Sequence, residues 1–251
     1  CPVERLPVPG PGGPTWDGLF RSGERSLGAA TEPDRPSISR FFFLSMALLA
    51  WKQVVDAGGE IVSRWPLRVN PSSGNLHPTE AYLADRTGLW HYRPDVHGLE
   101  KRADLQGMNE FLPDGAFLAG LTSIHWREAW KYGERAFRYC QHDAGHAMAA
   151  MALAAKSLGW STRVLPGPGT GEIEGLLGCV GGPGPEKEHG DAVLVVGPGA
   201  AAESGPLPAA TNITGIPNRL SESHRDWPVI PEVAEASTWS GGKSNKIAGP
   251  E

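Results

Sequence analysis

The stretch Pro71-Ser72-Ser73-Gly74-Asn75-Leu76-His77-Pro78 restricts the fold more than any other part of this 251-residue chain. Pro71 fixes its own φ, and Gly74 can enter the positive-φ region that other residues avoid. The segment therefore reads as one sharp, rigid turn rather than a piece of helix or strand. A turn of this kind gathers bare backbone, the hydroxyls of Ser72 and Ser73 and the carboxamide of Asn75 in a small space. Arg68, just upstream, adds a planar fork of donors suited to phosphate. The same residues also make an ordinary Pro/Ser/Gly/Asn loop, and their composition alone leaves both readings open.

Around that turn the pattern alternates. Ser39 reads as the N-cap of a helix running to about Val55, with Phe42, Met46, Leu49 and Ala50 on its apolar face. Ala81 to Leu83 and Gly88 to Tyr92 read as short strands joined through Asp85-Arg86-Thr87. Residues 104–121 read as one or two short helices broken at Pro113. Tyr139 to Leu158, rich in alanine and stopped by Gly159, is the clearest helix in the chain. Trp160 to Leu165 and Asp191 to Val196 read as strands, the second a continuous apolar run. Together these predict an α+β fold, a sandwich of helices around a mostly antiparallel sheet. Proline and glycine crowd both ends. Residues 1–36 read as an irregular arm, 37–197 as the folded domain, and 198–251 as an extended arm whose last dozen residues fray.

Composition narrows the function classes. With 40% hydrophobic and 20% charged residues the chain can bury a full core, and a net charge of -5 gives no footprint for nucleic acid. Cys1, Cys140 and Cys179 are widely spaced and form no CxxC or disulfide framework, which fits a reducing cytosol. The apolar run around Phe41 to Trp51 is too short for a membrane span, and the first residues lack the pattern of a secretion signal, so a cytoplasmic protein is expected.

Several residue groups invite specific chemistry. His142 and His146 have zinc-like spacing, but no third ligand stands in a motif and the glutamate of HExxH is missing, so no metal is expected. Gly167-Pro168-Gly169-Thr170-Gly171 lacks the Lys-Ser/Thr of a phosphate loop. Ala147, Ala150, Ala154 and Ala155 form a close-packing face, for the core or for a second subunit. Lys131 and Tyr132, set among Arg127, Glu128, Glu134 and Arg135, have by composition alone the look of a solvated helix face.

Residues 68–82, Arg-Val-Asn-Pro-Ser-Ser-Gly-Asn-Leu-His-Pro-Thr-Glu-Ala-Tyr, resemble the flavin loop of the nitroreductase-like superfamily, closest to its SagB-type, azoline oxidase-like branch. Lys131-Tyr132-Gly133-Glu134-Arg135-Ala136-Phe137-Arg138-Tyr139, running into His142-Asp143-Ala144-Gly145-His146, resembles the segment with that branch's Lys-Tyr pair. The resemblance covers roughly residues 38–197. It implies FMN held by Arg68, Pro71, Ser72, Ser73, Gly74, Asn75 and His77, with Leu165 and Gly167 passing near the ring. It also implies Lys131 and Tyr132 as catalytic residues in two-electron hydride transfer between an organic substrate and flavin N5. The flavin is expected at the interface of a homodimer or of tandem sister domains, and the substrate to be a small molecule or a modified peptide. An NAD(P)H-dependent nitro or quinone reductase is the alternative within enzymes. A flavin- or nucleotide-binding module without catalysis is the alternative outside them. The chain departs from the family where Ser37-Ile38-Ser39-Arg40 replaces an Arg-Arg-Ser type signature, and where the loop reads Ser-Ser-Gly-Asn-Leu-His-Pro instead of a Ser-Gly-Gly-Ala-Leu-Tyr-Pro type.

Overall fold

The computed structural model describes residues 1–14, 30–179, 184, 186–199, 206–216 and 219–242. The chain opens with β1 (Val3–Arg5), then α1 (Arg35–Met46). Asp34 caps α1 by accepting the Ser37 backbone N–H at 2.9 Å, and Pro36 sits in the first turn, where its missing N–H costs nothing. Ser39, expected as the cap, is instead inside the helix, its hydroxyl on the Pro7 carbonyl.

The helix does not run to Val55. It ends at Met46, and the chain enters a hairpin of β2 (Leu48–Val55) and β3 (Ile61–Arg68). Leu49 and Ala50 continue the apolar spacing of α1, which is why the two segments read as one. The β-branched Val54 and Val55 and the Gly58-Gly59 turn favour strands, and the strands form. Among the described residues the hairpin pairs only with itself, and it leaves Leu49, Trp51, Ile61 and Val62 exposed.

A one-turn 3-10 segment, Ser73–Asn75, leads into β4 (Thr79–Asp85), β5 (Gly88–Arg93) and β6 (Gly98–Gln106). After the short α2 (Met108–Phe111) come β7 (Phe117–Ser123), α3 (Trp126–Tyr132) and the 22-residue α4 (Ala136–Ser157). Residues 104–121 thus hold the end of one strand, a single helical turn and most of another strand, rather than helices broken at Pro113. Gly120 of β7 was the overlooked signal, since a Cβ there would collide with Leu177. Helix α4 stops where expected: Gly159 takes φ 74°, and Trp160 donates back to Ala155 O at 3.0 Å. The remaining elements are β8 (Ser161–Val164), α5 (Thr170–Leu177), β9 (His189–Gly197), β10 (Ala209–Thr211) and α6 (Val229–Ala236). The Gly167–Gly171 stretch is the lead-in and first turn of α5, not a phosphate loop.

The eight-stranded sheet runs β1-β6-β5-β4-β7-β9-β8, with β10 also on β6, and every recorded pairing is antiparallel. Alternation decides what each face buries. Ala81, Leu83, Ala119, Leu121, Leu194 and Val196 face α1 and α4 in one core. Tyr82, Ala84, Leu118, Val193 and Val195 face α2 and α5 in the other. In the first core Phe41 and Phe42 are fully buried, Phe42 stacked on Tyr92 at 4.7 Å, and each ring of this size contributes about 1.5–3 kcal/mol. Ala147, Ala154 and Ala155 belong to this core.

The arms carry structure of their own. β1 and β10 each cover one half of edge strand β6, and α6 packs Ile230 beside Ala129 and Ala136. Of the ends expected to be irregular or frayed, residues 15–29 and 243–251 lie outside the described residues. No helix among the described residues is long and apolar enough to cross a membrane.

Candidate functional site

The turn expected at residues 71–78 exists and is held by its own side chains. Ser72 Oγ accepts the His77 N–H at 2.8 Å, and Asn75 N–H donates to Ser72 O at 3.1 Å. Gly74, Asn75 and His77 all take positive φ, at 60°, 63° and 51°. Asn75 Nδ2 donates to Pro66 O at 2.8 Å, tying the turn to β3, while its Oδ1 stands 2.9 Å from His77 Nε2. Burial, then Arg68 and Arg127, lower the His77 pKa to about 4, so the ring is neutral near pH 7 and Nε2 carries the donated proton. Pro71 is exposed at the rim.

Gly74 is the point where two distant motifs meet. A Cβ built on it would lie 2.5 Å from the Tyr132 hydroxyl and 2.7 Å from Lys131 Nζ. Lys131 Nζ also lies 5.4 Å from the centre of the Tyr132 ring. Lys131 and Tyr132 are thus the tip of α3 brought over the bare backbone of the turn, with Lys131 exposed and Tyr132 half-buried.

Two buried carboxyls stand beneath that meeting, and one of them holds the turn. Asp143, one face of α4, receives the Ser73 backbone N–H on both oxygens at 3.0 Å and the Ser73 hydroxyl at 3.1 Å. Glu128 of α3 is fully buried beside it, and burial, then the Asp143 charge, pushes its carboxyl up to about 8. At neutral pH Glu128 therefore keeps its proton, while Asp143 accepts from the turn. Glu128 was named only as part of a charged stretch, and Asp143 only between two histidines. Their signal was spacing: Asp143 falls on the same stripe as Cys140 and Ala147, three and four residues away, which is core.

Beneath the turn lies a charged layer. Arg127 donates to His77 O at 3.1 Å and pairs with Glu80, which also meets His91 Nε2 at 2.7 Å. Burial alone would raise the Glu80 pKa, but Arg127 and His91 hold it well below the usual carboxylate range. Burial would lower His91, yet Glu100 and Glu80 raise it to about 9. Arg68 is half-buried here, its Nη1 donating to Thr79 O at 3.0 Å, and burial lowers its pKa. Arg68 Nε, the Asn70 carboxamide, His77 Nδ1 and Thr79 Oγ1 are buried without a hydrogen-bond partner. That is unspent polar capacity clustered around one turn.

The contacts of Leu165 and Gly167 lie elsewhere. Leu165 N–H bonds Val193 O at 2.9 Å and its side chain packs against the second core, while Gly167 O accepts from Gly242 at 3.2 Å. His142 and His146 are exposed on α4. Among the described residues, no group of three or more His, Cys, Asp or Glu could hold a metal ion.

Residues 49–180 match the sequence profile of the nitroreductase family. A crystal structure from Anabaena variabilis ATCC 29413, provisionally called a nitroreductase, shares the fold at a TM-score of 0.59 and 20% identity. The match covers 85% of this chain and 46% of that one, so this chain spans about half the length of that relative. A second protein provisionally called a nitroreductase, from Ralstonia eutropha JMP134, matches at a TM-score of 0.58 and 19% identity over 80% of this chain and 90% of that one. No curated protein matches the sequence.

Proposed function

Since this chain belongs to the nitroreductase family, we propose that it is an FMN-dependent oxidoreductase whose cofactor loop is Pro71–His77 and whose substrate-side residues are Lys131 and Tyr132. The observation that carries this reading is the meeting at Gly74, where the Lys131 amine and the Tyr132 hydroxyl converge on loop backbone.

The residues present fit the group. Arg68 Nε, the Asn70 amide and Thr79 Oγ1 at the base of the turn are buried and unspent. Bound FMN supplies a two-electron acceptor at its N5. Arg68 and Ser72 would supply donors for a phosphate or a ring oxygen. Lys131 and Tyr132 hold, or take, the proton that a substrate loses as its hydride departs. Asp143 acts through position: by tying Ser73 to α4 it keeps the loop beneath both groups. The substrate class is a small molecule or a modified peptide, the second in keeping with the SagB-type resemblance. A second copy of the chain, or a sister domain, completes the site in this reading.

Lys131→Ala and Tyr132→Phe test it. Both should retain FMN affinity while donor-driven flavin reduction falls on the order of 10²–10⁴-fold. Unchanged reduction rates in both variants would remove Lys131 and Tyr132 from the chemistry.

One observation favours a second reading, a flavin-binding module without catalysis: the Asn75 carboxamide already spends both ends on Pro66 and His77. Stoichiometric FMN that no added organic donor or NAD(P)H reduces would support that alternative.

A further inference from the structure

We infer that a cavity on the opposite face of α3 is a second ligand site, shaped for an uncharged planar heteroaromatic ring with a donor and an acceptor on one edge. The cavity, about 890 Å³, lies within the range of small-molecule sites. Its lining includes Trp126 and Ala129 but none of residues 68–77. Along α3 Trp126 projects away from Glu128 and Lys131, so this side of the helix faces the cavity and the other faces the loop.

One side of the cavity is polar. His125 is 5% exposed, stacks on His189 with centroids 4.4 Å apart at 15°, and has no hydrogen-bond partner on either ring nitrogen. Burial, then the neighbouring His189, lowers the His125 pKa to about 3, and burial pushes the nearby Asp191 up to about 7. A neutral imidazole offers one donor and one acceptor, and Asp191 with Gln141 adds a carboxyl and a carboxamide. An anionic ligand would meet no buried counter-charge there, whereas an uncharged ring edge can pair with one imidazole nitrogen and with the neighbouring carboxyl or carboxamide. The other walls are apolar and aromatic: Trp126, Phe137, Trp227 and Ile230. Lys187 and Arg225 stand against Glu174, Asp226 and Glu235 around the lining, which leaves no single sign of charge to select an ion.

The covering segment is tied down at both ends. At one end Glu186 accepts the Leu220 and Ser221 N–H groups at 2.8 and 3.0 Å and stands 2.9 Å from His224 Nε2. At the other, Thr170 N–H bonds Trp239 O at 2.9 Å and Gly242 N–H bonds Gly167 O at 3.2 Å. Helix α6, between these anchors, supplies Ile230, Pro231 and Ala234 to the cavity wall.

Calorimetric titration of the purified chain with benzimidazole at pH 7.5, with and without saturating FMN, tests the assignment. The expected result is one saturable site, at least tenfold weaker for 1-methylindole, which lacks the paired edge. Ala234→Phe, which fills the cavity from α6, should abolish the signal, and Asn75→Ala should leave it unchanged. His125→Phe should weaken benzimidazole about tenfold; if that variant fails to fold, Gln141→Leu reads the same polar edge. No saturable heat, meaning a cavity that holds water only, would overturn the inference. So would equal affinity for the two probes, or binding that survives Ala234→Phe. Competition by FMN would overturn it as well, by making the cavity part of the first site.

Discussion

Gly74 carries two demands at once: a positive φ, and room above its Cα for the tips of Lys131 and Tyr132. Gly74→Ala meets neither. An L-residue in the left-handed region costs about 1–2 kcal/mol, and the new methyl would push the Tyr132 hydroxyl away. The expected outcome is a folded protein with a melting temperature lowered by several degrees and weakened FMN binding, read by thermal unfolding and fluorescence titration. Wild-type stability in this variant would mean that the turn is not held as described. At this scale much was legible. Pro71 and Gly74 announced a fixed turn, and the Lys-Tyr pair was singled out by resemblance. What spacing could not convey was the direction of each side chain. Asn75 and Arg68 were read as facing a ligand, yet their recorded bonds run inward to Pro66, His77 and Thr79. The partners of a polar side chain depend on segments far away in the chain.

Asp143 of α4 holds the turn at Ser73, Glu128 of α3 is buried beside it, and that junction has a pH signature. The Glu128 carboxyl rises from an ordinary 4.5 to about 8 in the folded chain. Between those values the folded state keeps a proton that the unfolded state releases. The stability it contributes is therefore complete below pH 4.5, declines through the window and is gone above about 8. Asp191, raised to about 7, acts with the same sign. His77 and His125, lowered to about 4 and 3, act oppositely and only below 6.5. The difference between variant and wild type isolates Glu128: Glu128→Gln should gain melting temperature relative to wild type as pH rises from 5 to 8.5. A gap that stays constant across that range would contradict a Glu128 carboxyl that keeps its proton in the fold. Elements were legible where one local signal dominated, as in alanine-rich α4 with its Gly159 stop and in the apolar β9. They were misread where a helical period crossed a boundary. Leu49 and Ala50 extend the stripe of α1 on paper, but the chain turns at Ala47 and the hairpin exposes them.

For the whole molecule, the α+β sandwich with its antiparallel sheet follows the sequence reading, and the two arms turned out to finish one edge of that sheet. The β2–β3 hairpin is different. It stands outside the main sheet with Leu49, Trp51, Val54, Val55, Ile61 and Val62 all exposed, an apolar surface that an isolated two-stranded unit does not bury alone. The account expects a homodimer or a pairing with a sister domain, with well over ~2,000 Å² buried in total. Sedimentation of FMN-loaded protein should give twice the 26.7 kDa chain mass. A monomer that holds FMN tightly would contradict a shared site.

The central claim is that Pro71–His77 binds flavin. Its most direct test is the visible spectrum of the purified chain during titration with FMN, in wild type and in Asn75→Ala. The account predicts the two flavin absorption bands on protein that has been freed of unbound FMN, and their release on mild denaturation. It also predicts affinity weakened by about 1–3 kcal/mol in Asn75→Ala, where the turn loses its ties to Pro66 and His77. A colourless protein whose spectrum and fluorescence ignore added FMN would contradict it.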